Sequence, residues 1–132
     1  MKKVFITLVM FLGLVAVKAQ TNSTPAQVDI AKVLKFTNDN YDMGKIAFGK
    51  PTEFSVSIEN ISNTNISLLN VMVGCGCTTP KYTKDQLILP GTTATVVLGF
   101  NGSAVGKFSK SATLFFSGNL TKAVSFHGEG VQ

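Results

Sequence analysis

The sequence predicts an all-β chain: an antiparallel β-sandwich of about seven strands, preceded by a cleaved signal peptide. Three observations predict it. Apolar and polar residues alternate with period two in several short runs. Turn-forming residues separate those runs. No stretch of the body carries a convincing helical period.

Residues 1–19 read as the signal peptide. Lys2 and Lys3 form its positive end, an apolar run from Val4 to Val17 follows, and Val17-Lys18-Ala19 supplies compact residues at the cleavage positions. The run falls short of the roughly 20 apolar residues of a membrane-spanning helix. No cysteine follows it, so lipid attachment through a new N-terminal cysteine is not offered. The mature chain is therefore expected to begin at Gln20, without stable membrane insertion. Residues 20–35 are a polar leader ending in a mildly amphipathic piece, Ala26 to Phe36, that fits a short helix or an edge strand equally well. The sandwich domain is assigned to residues 36–132.

Within that domain, Tyr41 to Gly49 reads as a strand kinked at Gly44. From Thr52 to Glu59, Phe54, Val56 and Ile58 face inward and Glu53, Ser55 and Ser57 outward. Ile66 to Val73 is the most apolar mature run, and its phase slips between Leu68 and Leu69, predicting a bulge. After a less regular segment to Asp85, Leu87-Ile88-Leu89 is a short apolar piece closed by Pro90-Gly91. Ala94, Val96, Leu98 and Phe100 alternate next, and Asn101-Gly102 looks like a hairpin turn. Phe108 to Phe116 follows, with Ala112, Leu114 and Phe116 inward and Phe115 outward. Past Ser117-Gly118-Asn119, Val124 and Phe126 face in, and Gly128-Glu129-Gly130 ends the last strand.

Charge limits the partners. Twelve lysines and no arginine face seven acids; losing Lys2, Lys3 and Lys18 leaves the mature chain at +2. Without arginine there is no bidentate recognition of phosphate or guanine, so nucleic acid is excluded as a partner. The acids Asp39, Asp42, Glu53 and Glu59 are scattered on turns and outward faces, with no paired carboxylates. The sequons Asn60-Ile61-Ser62 and Asn119-Leu120-Thr121 are read as chance.

Chemistry is concentrated in Gly74-Cys75-Gly76-Cys77-Thr78-Thr79-Pro80, which holds both cysteines. In a regular strand, residues i and i+2 share a face with Cα atoms about 6.6 Å apart, close to the disulfide limit of about 6.8 Å. A bend at Gly76 would bring the sulfurs together. Such a bond closes almost no loop and stabilises little; it fits a redox element or a local backbone lock. The same two thiolates suit copper or zinc, although no cofactor is expected. Only His127, Met43 and Met72 could add ligands. In the third reading, the cysteines are small apolar packing residues. Gly74, Gly76, Thr78 and Pro80 support the motif. No catalytic residues are assigned: a cysteine–histidine site needs an orienting group and a cleft.

These pieces resemble a bacterial family, the domain of unknown function numbered 1573, with its Cys-Gly-Cys-Thr stretch. The matching residues are Tyr41 to Ile46, Phe54 to Asn60, Cys75-Gly76-Cys77-Thr78 with Pro80, Leu89-Pro90-Gly91, Gly106-Lys107-Phe108 and Gly128 to Val131. Thr92 stands where members often carry glutamate, and Tyr41 where phenylalanine is typical. The resemblance implies an immunoglobulin-type sandwich related to ASPM, SPD-2 and Hydin domains, with no established catalytic residues. The expected function is an exported, non-enzymatic module, periplasmic or at the cell surface, that binds or assembles an envelope protein. The alternative is thiol redox or soft-metal handling through Cys75 and Cys77.

Overall fold

The computed structural model describes residues 28–132. The expected signal peptide and cleavage site lie outside the described residues. After a 3-10 turn at Ile30–Lys32, capped by Asp29 through Ala31 N, come nine strands: β1 (Leu34–Thr37), β2 (Asn40–Ala47), β3 (Thr52–Asn60), β4 (Ile66–Val73), β5 (Thr78–Lys81), β6 (Gln86–Ile88), β7 (Thr93–Phe100), β8 (Gly106–Phe116) and β9 (Leu120–Val131). The amphipathic piece before residue 36 is thus both options in succession, a short 3-10 turn and then an edge strand.

They form two sheets, one four-stranded in the order β1-β3-β7-β5 and one five-stranded in the order β2-β9-β8-β4-β6. The seven expected strands are all present. The two additional ones, β1 and β5, are short edges of the four-stranded sheet, where a weak pattern suffices because one neighbour does the pairing. Pro80 sits on edge strand β5, where its missing N–H costs no central ladder bond.

The sandwich is not wholly antiparallel as expected: β2 runs parallel to β9, with Asn40 opposite Ser125 and Ala47 opposite Val131. The first strand of the domain changes sheets midway. At Asn38, with φ 64°, the chain leaves β1 in one sheet and enters β2 in the other. The Asn38 amide donates to Ser55 O and Asp39 O accepts from Ser125 N, so the crossing is tied to both sheets.

The period-two readings hold at the core. Phe54, Val56 and Ile58 of β3 are buried, as are Ala94, Val96, Leu98 and Phe100 of β7, Ala112, Leu114 and Phe116 of β8, and Val124 and Phe126 of β9. Burial of such side chains is worth about 1.5–3 kcal/mol each. A relay of rings, Tyr41, Phe54, Phe126, Phe100 and Phe108, spans both layers with centroids 4.6–5.9 Å apart. The two predicted irregularities are real. Register shifts in β2 between Asp42 and Lys45, around Gly44 at φ 65°, and in β4 between Leu68 and Asn70.

Two turn readings need correction. Asn101-Gly102 does not close a hairpin; residues 101–105 carry the chain from β7 in one sheet to β8 in the other. Gly128 and Gly130 do not end the last strand either but lie inside β9, which continues to Val131. A Cβ at Gly130 would overlap the Ala104 carbonyl, so this connection crosses directly over the strand and demands glycine beneath it.

Candidate functional site

The site grows out of a mismatch in strand length. β8 pairs with β9 along its whole run, from Gly106 to Phe116, but β4 stops at Val73, opposite Ala112. From Gly106 to Ser111, the side of β8 away from β9 is therefore bordered by no strand among the described residues. At Val73 the chain turns away through Gly74–Cys77 and re-enters as β5 in the opposite sheet. The double-cysteine stretch is the corner between the two layers.

At that corner Cys75 and Cys77 form a disulfide with Cα atoms 5.3 Å apart, less than the strand spacing. The shortening comes from a turn in which Thr78 N donates to Cys75 O at 3.4 Å. Gly76 is outside the positive-φ region, and a Cβ there would meet nothing within 4 Å. The bend thus needs no special glycine conformation, contrary to expectation. Gly74 and Gly76 are exposed, while both cysteines are half-buried.

The two sulfurs differ in surroundings. Cys77 packs against the hydrophobic core. Cys75 lines a cleft of about 200 Å³ with Gly74, Ser109, Lys110 and Ser111, on the uncovered length of β8. Beneath both lies Thr78, 4% exposed, its Oγ1 3.9 Å from Cys75 Sγ and 3.8 Å from Cys77 Sγ. Bonded sulfurs carry no hydrogen, so the hydroxyl is the donor to them. Sequence reasoning placed Thr78 only as motif support; its Thr-after-Cys position was the available signal.

The structure does not gather the other candidates here. His127 projects from β9, 44% exposed, with Nε2 3.9 Å from Asp42 Oδ1. Among the described residues, no three His, Cys, Asp or Glu side chains converge as a metal site would require. Pro80 is away on β5. An open cleft of about 470 Å³ beside the Gly44 bulge is lined by Asp42, Lys45, Lys107, Phe108, His127 and Glu129 among others. In it Glu129 faces Lys45 on one side and Lys107 on the other, the cross-strand charge pairing of a solvated sheet face. The acids Asp39 and Glu53 form surface ion pairs with Lys122 and Lys81. Among the described residues no helix is long and apolar enough to cross a membrane.

Two sheets packed face to face and joined by strands that pass from one to the other make this an immunoglobulin-type β-sandwich in its fold. The chain belongs to the family described as protein of unknown function DUF1573, whose model matches residues 34–129. Among solved structures it is similar to the ASH / PapD-like domain 7 of human CEP192, at 13% identity and TM-score 0.59, covering 76% of this chain and 87% of that one. It is similar to the VesB protease of Vibrio cholerae at 11% identity and TM-score 0.61, covering 78% of this chain and only 33% of the protease. The YadV chaperone matches at 11% identity and TM-score 0.54, covering 76% of this chain and 53% of the chaperone. At these identities the likeness is one of fold. No curated protein sequence matches the chain.

Proposed function

We propose that the protein is an exported, non-enzymatic module that binds an extended segment of another protein in the bacterial envelope. The observation that carries this reading is the uncovered length of β8, Gly106–Ser111. Alternate residues of a strand direct N–H and C=O groups to each side, and an unbordered side is completed by an added strand. The other edges are poorer templates. β6 has 3 residues, β1 and β5 have 4 each, β5 carries Pro80, and β2 is broken at the Gly44 bulge. Lys110 lies within the open length and lines the cleft beside it, so its charge disfavours a second copy of the same edge and favours a neutral or acidic segment. The chaperone likeness supports a protein-binding role, and no nucleophile–base pair or converging acid cluster among the described residues supports catalysis.

The test is site-specific photocrosslinking in the exporting bacterium, with benzoylphenylalanine at position 109 or, as control, at exposed position 84. Discrete adducts from position 109 alone are expected. Equal adducts from both positions, or none from 109, refute the edge as the binding surface. N-terminal sequencing of the same material checks the expected start at Gln20.

A further inference from the structure

We propose that the Cys75–Cys77 disulfide accepts a cysteine thiol from the segment laid along Gly106–Ser111, capturing the partner as a mixed disulfide. This rests on the docking reading above and adds a covalent step to it. Four features of the corner point the same way. Cys75 lines the cleft over the open edge, together with Ser109, Lys110 and Ser111. The exposed glycines on either side of Cys75 leave its approach clear of side chains. Cys77 is held against the core and is sheltered as a leaving sulfur. The buried Thr78 hydroxyl has the two sulfurs as its hydrogen-bond partners, with none other among the described residues.

The step balances without an outside oxidant. The partner's thiol loses its proton to solvent, and its thiolate attacks Cys75 Sγ. A bond forms between the partner's sulfur and Cys75; the Cys75–Cys77 bond breaks, and its electron pair leaves on Cys77 Sγ. The partner's sulfur is oxidised and Cys77 is reduced. The new Cys77 thiolate receives the Thr78 Oγ1–H, a charge-assisted hydrogen bond stronger than the contact to the neutral disulfide. Lys110, without an ion-pair partner among the described residues, draws the incoming thiolate to the cleft. Thr78 is a positioning residue that favours one outcome of the exchange.

The experiment mixes the oxidised mature protein with three probes: a nonapeptide of alternating threonine and valine with a central cysteine, the same peptide with serine, and glutathione. Adduct formation is followed by acid quench and intact mass, the attacked cysteine by peptide mapping, and serine-peptide binding by calorimetry. The cysteine peptide is expected to add to Cys75 about tenfold faster than glutathione, because docking raises its effective concentration. Thr78→Val is expected to slow formation by roughly tenfold or more, as a hydrogen bond to a charged group is removed; Thr78→Ser should restore it. Lys110→Gln, which keeps most of the length of this half-buried side chain and removes its charge, should slow the reaction a few-fold and flatten its salt dependence. Adducts on Cys77, or rates indifferent to both Thr78→Val and Lys110→Gln, overturn the proposal. Binding of the serine peptide without adducts from the cysteine peptide overturns capture and leaves the docking reading standing. A cysteine peptide no faster than glutathione, with no serine-peptide binding, overturns both.

Discussion

Single residues separate glycines that the backbone requires from glycines that it merely tolerates. At Gly130 an added methyl would collide with the Ala104 backbone, and at Gly128 with Gly44 O and the Phe108 ring. Gly130→Ala is therefore expected to cost more than about 3 kcal/mol, within the range of severe overpacking, read as a lost or strongly lowered unfolding midpoint in urea. Gly76→Ala should change stability by less than about 0.5 kcal/mol. Sequence inspection had the emphasis reversed. The Cys-Gly-Cys spacing draws the eye to Gly76, while Gly128 and Gly130 look like an ordinary terminus. The close approach that constrains them comes from residues far away in sequence, and no local pattern announces it. Asn60 repeats the lesson. It opens what reads as a chance sequon, yet it is fully buried. Its Nδ2 donates to Thr64 O and Ile88 O at 2.7 and 2.8 Å, and its Oδ1 accepts from Ser62 N and Oγ. Asn60→Ala leaves several of these groups unpaired, so a loss of about 2–4 kcal/mol is expected in denaturant unfolding.

Among the elements, amphipathic strands announced themselves and short edges did not. β3, β7, β8 and the first half of β9 alternate cleanly because each has one wet face. The slip in the apolar run of β4 correctly marked a bulge, where Leu69 and Asn70 are both exposed between buried Leu68 and Val71. β1 and β5 have only 4 residues apiece, too few for a period to show. The corner between β4 and β5 was legible as a special stretch. Its partner was not, because the open length of β8 exists only through the early stop of β4. Since the disulfide spans a sequence separation of 2, its loop-closure contribution is small, at most about 1.5 kcal/mol. Cys75→Ser with Cys77→Ser should therefore leave a folded sandwich with a melting temperature lowered by no more than about 10 °C. Complete loss of cooperative unfolding in that variant would make the corner a structural staple.

At the scale of the whole molecule, sheet-switching connections set the folding problem. Among the described residues, only β8 and β9 are consecutive strands joined as a hairpin in one sheet; most other ladders pair strands distant in the chain. Folding must close long loops before those pairings stabilise anything, which places the expected rate in the millisecond-to-second range. Stopped-flow refolding should show it, and a microsecond phase carrying the full amplitude would contradict it.

The parallel pairing of β2 with β9 has a mechanical consequence. The first long strand and the last lie side by side and point the same way, from Asn40 beside Ser125 to Ala47 beside Val131. Tension applied through the chain at the two ends of this pair pulls β2 backward and β9 forward. The ladder is loaded in shear, and its hydrogen bonds must fail together rather than unzip one at a time. A module tethered at one end and gripping a partner at the other would carry load as a clasp does, with the Gly44 bulge as the seam where yielding begins.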